Sequence, residues 1–358
     1  MDGPLAGVRV LEIGGGIAAG FATRWMAGFG ADVVRSEGPE GLLTPDEATY
    51  LLAGKRRIAA DGQALRELAL KANILVEDGP PGVLAARGLD PASLRAANPA
   101  LVGVSITPFG QSGPYREFSH TNLTTHAMGG ILSLTGTPDR APLVNGGSQA
   151  YYLGGLNGFS AALTAYFGAL VHGEGDWLDI SMQECAAAMP ELYGPRTEAS
   201  TGMPSVRLGN HTSAVWGIYP VADGHGGVCC LARQIPAFFS VVGDPDLLDE
   251  RFRDPTQRLA NNDELSAKLY AWFATKTKQE LLELGPVQKV PFGAVVTPGE
   301  LLANASLNER GFFDSVETPE GEARVPGRPF LGMPWRSGTL SAAGADTDAV
   351  LSDWGVER

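Results

Sequence analysis

Val8-Arg9-Val10-Leu11-Glu12-Ile13 followed by Gly14-Gly15-Gly16 and Ile17-Ala18-Ala19 is the stretch that decides the fold. The first six residues read as a short apolar strand. The glycines form a turn, and an amphipathic pattern from about Ala18 to Phe29 predicts a helix that Gly30 stops. Asp32-Val33-Val34 then supplies a second strand, completing a βαβ unit. Outward from this unit the alternation continues. Ala64–Lys71 predicts a helix before the strand Ile74-Leu75-Val76, and Leu101–Ile106 predicts a strand after the Asn98-Pro99 turn. Strands alternating with helices imply an α/β fold with a mainly parallel sheet covered on both faces.

Ala150–Val171 carries no charge and is long enough to span a bilayer. Its glycines, its Ser and Thr residues and the lack of basic flanks predict a buried helix at the centre of a large domain instead. Trp177–Ser181 is a further strand, with a helix from about Met182. Gly194–Thr212 is rich in Gly, Pro, Ser, Thr and Asn and reads as a linker. Beyond it lie a hairpin around Asp223-Gly224 and helices at Pro236–Val242 and Asp263–Thr275, a smaller α+β region. Its aromatic residues Trp216, Tyr219, Phe238 and Phe239 read as core. The tail is Pro-rich from Arg324 and closes on a short helix near Thr347–Trp354. The expected organisation is a large domain over 1–195, a linker over 196–212, a small α+β domain over 213–310, and a tail over 311–358.

A formal charge of −13 argues against a nucleic-acid surface, because no basic stripe is present to displace counterions from phosphates. Three cysteines, two of them adjacent, form neither a disulfide framework nor a CxxC pair. A reducing cytoplasm is the expected location, since the N-terminus has no basic run before an apolar stretch. No metal site is expected.

The first turn has the layout of a dinucleotide site. Gly14-x-Gly16-x-x-Ala19 lies between strand and helix, and Glu37 follows the next strand. Such a turn is common in doubly wound sheets, so NAD is one reading among others.

Motifs along nearly the whole chain favour another. Pro4–Glu12, Gly30–Val34 with Glu37, Gly54-Lys55-Arg56-Arg57-Ile58, Leu75–Asp78 with Pro81-Gly82, and Asn98–Val102 through Gly110-Gln111-Ser112-Gly113-Pro114-Tyr115 occur in order. Asp179–Glu184, Tyr219-Pro220, Asp223-Gly224 and Arg310–Phe313 follow. In these segments the chain resembles the class III CoA-transferases (the CaiB/BaiF type), the family of formyl-CoA and carnitine CoA-transferases and α-methylacyl-CoA racemase. The resemblance implies a large Rossmann-like domain to which the tail over 311–358 returns, and an interlocked dimer. It also implies CoA at the large domain, moved between carboxylic acids as acyl-CoA, with the glycine turn at Gly16, Ile17 and Ala18 facing CoA rather than NAD. It places Glu37, Lys55, Asp78 and Arg87 among the CoA contacts. A basic residue expected after Glu37 is replaced by Gly38. The Lys55-Arg56-Arg57 cluster has a second reading, a solvated strand edge.

The same resemblance implies an aspartate nucleophile at the start of the long glycine-containing helix, in a segment like "ADLLAGLYAA". Here that segment is Ala150-Tyr151-Tyr152-Leu153-Gly154, so the position is Tyr151. A phenol cannot form the mixed anhydride through which a carboxylate moves CoA, and the nearest acids in sequence are Asp139 and Glu174. The racemases of the family pair a histidine with that aspartate, and His120 stands at the histidine's place. His126 reads as structural. Three functions therefore stand: CoA transfer by an unidentified group; isomerase, racemase, lyase or hydrolase chemistry using His120 or Tyr151 as acid or base; or a non-catalytic subunit paired with an active homologue, in place of a homodimer.

Overall fold

In a computed structural model, residues 3–37, 43–189, 198–200, 202–318 and 321–357 are described. Gly38, residues 190–195 and, of the proposed linker over 196–212, residues 196, 197 and 201 lie outside them. The chain forms two compact units. One comprises Met1–Leu132, Val144–Met203 and Ala305–Arg358, the other Ser133–Leu143 and Pro204–Asn304.

The larger unit is built on six parallel strands: β1 (Arg9–Ile13), β2 (Asp32–Ser36), β3 (Arg56–Ile58), β4 (Ile74–Glu77), β5 (Val102–Thr107) and β6 (Trp177–Ser181). Their order is β3-β2-β1-β4-β5-β6, so the chain reverses its direction of travel between β1 and β4. The helices around it are α1 (Ile17–Gly28), α2 (Pro45–Leu52), α3 (Gly62–Lys71), α4 (Val83–Ala86), α5 (Pro91–Ala97), α6 (Asn122–Met128), α7 (Gln149–His172) and α8 (Met182–Ala187). Strand side chains alternate between two cores. Val10, Val33, Val76 and Val104 pack on the α1–α7 face, while Leu11, Ile13, Val34 and Leu75 pack on the α3 face. Both faces being covered is what makes the strand sequences continuously apolar. The helix Thr347–Trp354 returns to this unit and buries Val350, Leu351 and Trp354 in the second core.

The uncharged segment forms α7, and it is not buried all round. Its small residues Gly154, Gly155, Gly158 and Ala162 face the core. A Cβ on Gly155 would stand 2.6 Å from the Ala18 carbonyl oxygen, so α1 and α7 approach closely only because that position is glycine. The opposite face is exposed, with Phe167 at 69% and Leu170 at 66%. The expectation of a fully buried helix is thereby corrected: one side packs on the sheet and the other is an open apolar stripe. Among the described residues no helix is long and apolar enough to cross a membrane.

A charged network sits inside the larger unit. Glu12, on β1, accepts from the Lys55 ammonium at 2.7 Å, from the Thr23 hydroxyl at 2.6 Å and from Arg35. Burial alone would push Glu12 upward, but Lys55 and Arg35 overcome that and hold it at about 2.

The smaller unit is α+β. β7 (His211–Ser213), β8 (Trp216–Val221), β9 (Gly224–Cys229) and β10 (Phe292–Val295) form an antiparallel sheet in the order β10-β9-β8-β7. β8 and β9 are the hairpin expected around Asp223-Gly224. Tyr219, Phe238 and Phe239 are buried in its core with Phe252 and Phe273, whereas Trp216 is 38% exposed. A separate hairpin, β11 (Phe313–Thr318) with β12 (Gly321–Pro326), belongs to the larger unit.

Candidate active site

The larger unit holds a cavity of about 540 Å³ at the carboxyl ends of β1, β4 and β5. Gly15, Gly16, Ile17 and Ala18 line it from the turn after β1, Asp78 to Pro81 from the turn after β4, and Pro108 from the end of β5. Arg116 to His120 line it from a loop, with Tyr151 at the start of α7 and Met182 at the start of α8. The turns after β1 and β4 diverge because the sheet reverses there, which leaves a crevice at the switch point of a doubly wound sheet.

The glycine turn is shaped by Asp78. Its carboxylate accepts from the Gly16 N–H at 3.2 Å and from the Ala19 N–H at 3.0 Å, capping the first turn of α1. A Cβ at Gly14 would stand 2.4 Å from Asp78 Oδ1, and one at Gly16 2.3 Å from Oδ2. The glycines thus make room for a carboxylate of the chain itself. Burial pushes Asp78 above the ordinary aspartate range, while the Ala19 and Gly16 N–H groups pull it back. Next to it, burial raises Glu77 to about 7, against hydrogen bonds from Ser105 and the Gly79 N–H.

His120 and Tyr151 meet at the cavity, their ring centroids 6.1 Å apart and the rings nearly perpendicular. The local sequence explains the meeting. His120 immediately precedes Thr121, which caps α6 in a capping box with Thr124. Asn122 on that first turn accepts from the Ala150 N–H at 2.9 Å and donates to the Gly147 carbonyl at 3.1 Å, tying the start of α6 to the start of α7. Burial depresses His120 below its ordinary value. Burial raises Tyr151, partly opposed by the Asn122 backbone N–H. At neutral pH the pair is therefore an uncharged imidazole beside an intact phenol, a base and an acid on one cavity.

The remaining sequence candidates lie elsewhere. The Lys55 ammonium is fully buried and donates to Glu12, to the Gly20 carbonyl at 2.8 Å and to Thr23 Oγ1 at 2.7 Å, so its three donors are spent inside the fold. It faces the core, not a surface from which a phosphate is reached. Arg56 pairs with Asp32 and Asp353, and Arg57 pairs with Glu37, which also lies 3.6 Å from Arg35. Arg87 donates to Ser36 Oγ at 3.0 Å. Glu37 and Arg87 thus flank the end of β2, apart from the residues that line the cavity. His126 is buried. Among the described residues no group of three His, Cys, Asp or Glu side chains converges on a metal position.

Sequence reading missed Arg116, Glu117 and Phe118 as cavity residues, and the buried Glu77. The one signal for the loop residues was the Gly113-Pro114-Tyr115 turn just before them, where Gly113 adopts φ +88°; Glu77 had none beyond its place at the end of a strand.

The model of CoA-transferase family III matches residues 5–343. The chain is 31% identical over 355 residues to the succinate–glutarate CoA-transferase of Agrobacterium fabrum, covering 90% of this chain and 88% of that protein. It is 29% identical over 317 residues to the β subunit of the succinyl-CoA–L-malate CoA-transferase of Chloroflexus aurantiacus, covering 79% and 77%. Among solved structures it is similar to a CaiB/BaiF family protein from Brucella suis, with a TM-score of 0.85, 26% identity, and coverage of 99% of this chain and 100% of that one.

Proposed function

We propose a function from one premise, that the chain belongs to CoA-transferase family III: its cavity receives the thioester end of an acyl-CoA, and His120 with Tyr151 moves a proton on the acyl group. The observation that carries this reading is the juxtaposition of the two side chains across one cavity, 6.1 Å between centroids. His120 takes a proton from the carbon next to the thioester carbonyl. As negative charge reaches the carbonyl oxygen, the Tyr151 hydroxyl donates to it, and return of the proton to carbon closes the cycle. This is isomerase or racemase chemistry, with lyase or hydrolase chemistry as variants of the same acid–base pair.

Movement of CoA between two carboxylic acids, the reaction in the Agrobacterium relative's name, calls for a carboxylate nucleophile. Tyr151 offers none. Of the acids lining the cavity, Asp78 has each oxygen engaged by a backbone N–H, and Glu117 lies 2.7 Å from Arg116 Nε. CoA is bound here as substrate. The N–H groups of Ile17 and Ala18, at the cavity wall, are its contacts on α1. The protein works in the cytoplasm, where its free cysteines Cys185, Cys229 and Cys230 stay reduced.

A second reading is favoured by the Chloroflexus relative, named as one subunit of a larger enzyme. A chain with Tyr151 at the nucleophile's position would then be the partner of an active homologue. The open stripe of α7, with Leu156, Phe167, Leu170 and Val171 exposed, supports association in either form, homodimer or heterodimer.

The test is hydrogen exchange at the α-carbon of an acyl-CoA in deuterated water, followed by mass spectrometry. Wild type is expected to exchange the proton, and His120→Gln and Tyr151→Phe to lose that activity. Transfer of labelled CoA to a carboxylic acid without α-exchange overturns the reading. Activity appearing only with a co-purified homologue favours the second.

A further inference from the structure

Of the residues lining the cavity, the charged ones are Asp78, Arg116 and Glu117, so Arg116 is the one cation among them. It lies four positions before His120 on the same loop. That loop is held in place before any ligand arrives. Gly113 turns it with φ +88°, and the Arg116 N–H donates back to the Gly113 carbonyl at 3.4 Å. The Phe118 N–H donates to the Tyr115 carbonyl at 2.9 Å, and Phe109 packs edge to face against Tyr115 and Phe118, whose own rings are tilted 40° to each other.

The guanidinium is engaged on one side only. Glu117 Oε1 lies 2.7 Å from Nε, and no protein acceptor among the described residues meets Nη1 or Nη2. The two terminal nitrogens present the flat edge that a carboxylate or phosphate takes with two parallel hydrogen bonds. On a protein of formal charge −13, Arg116 is the lining side chain with positive charge to offer an anion in the cavity that holds the acid–base pair.

Building on the acyl-CoA reading, we propose that Arg116 selects acyl groups that end in a second carboxylate, so that the substrate is the CoA thioester of a dicarboxylic acid. The distal carboxylate lies on the Nη edge, and the thioester end points to His120 and Tyr151. The shared anion chemistry has a competing source, a phosphate of CoA itself, and the experiment separates the two because CoA is common to every probe.

Calorimetric titration with non-reactive thioether analogues of succinyl-CoA and butyryl-CoA tests this on the full chain, with Arg116→Gln and Arg116→Lys as variants. Arg116 is 44% exposed at its side chain, so both variants should fold. Wild type is expected to bind the succinyl analogue roughly 10- to 100-fold more tightly, the range for hydrogen bonds to a charged group. Arg116→Gln should remove that preference and leave butyryl binding unchanged, and Arg116→Lys should keep part of it. Equal affinity of wild type for both analogues overturns the inference while leaving acyl-CoA binding intact. Equal weakening of both by Arg116→Gln assigns the guanidinium to a CoA phosphate and likewise overturns it. Absence of binding by either analogue overturns the acyl-CoA reading and the inference with it.

Discussion

Asp78 lies across the turn at Gly16, accepting from its N–H at 3.2 Å and occupying the space that a side chain there would need. The glycine-rich turn after β1 is therefore as much a seat for this carboxylate as a cradle for a ligand. The same contact brings the turns after β1 and β4 to opposite sides of one cavity.

Gly16→Ala should be destabilising out of proportion to its size. A methyl group there stands 2.3 Å from Asp78 Oδ2, so Asp78 must swing away and give up its N–H partners. The expected loss is about 1–3 kcal/mol in urea denaturation. The double variant with Asp78→Ala should cost less than the sum of the single changes, because the clash then has no second party. Additive losses would show that the two residues do not touch.

Lys55→Met should act on stability. The ammonium is enclosed with Glu12, and its removal leaves that carboxylate short of a donor inside the fold, at a cost of roughly 3–5 kcal/mol. Denaturation midpoints together with a CoA titration check this. Unchanged stability with lost CoA affinity would return Lys55 to the ligand site that the sequence assigned it.

Glu77 gives the protein a pH dependence of definite sign. Its folded-state pKa of about 7 exceeds the ordinary 4.5, so the folded state holds a proton that the unfolded state has released between those values. Its contribution is fully present below about 4.5 and is lost as pH rises through 7, by at most about 3 kcal/mol. Glu77→Gln should flatten the stability curve between pH 5 and pH 8. An unaltered slope would mean that the carboxyl is not desolvated.

His120 predicts the shape of the rate profile. Burial lowers its pKa below 6.5, so the neutral base is already formed at neutral pH. The kcat/KM for α-proton exchange should fall only on the acid side, with a midpoint below 6.5, and stay level toward pH 8. Replacing the base in His120→Gln should cost about 10²- to 10⁴-fold and abolish that limb. A limb that survives the substitution belongs to another group.

Local patterns in the sequence were sufficient for the elements. Trp177–Ser181 and Thr347–Trp354 form the strand and helix read from them, and β1, α1 and β4 lie within a residue or two of expectation. Apolar runs of strand length, glycine stops and proline turns are properties of neighbouring residues, so they survive reading one segment at a time. The sequence also determined that a phenol, Tyr151, and not a carboxylate stands at the start of the long helix.

Pairings between distant segments were decided by the tertiary structure. Lys55 belongs to a basic triplet along the chain, yet the crossing of α1 over β1 puts Glu12, Thr23 and the Gly20 carbonyl around its ammonium and draws it into the core. Asp78 is one acid in a loop until the reversal between β1 and β4 carries it to Gly16. His120 and Tyr151 are separated by a loop and a helix, and it is Asn122, bonded to the first turn of α7, that sets their rings across one cavity. A side chain's charge state and partners depend on what burial takes from water and what it offers instead. Those quantities exist only once the chain has closed on itself.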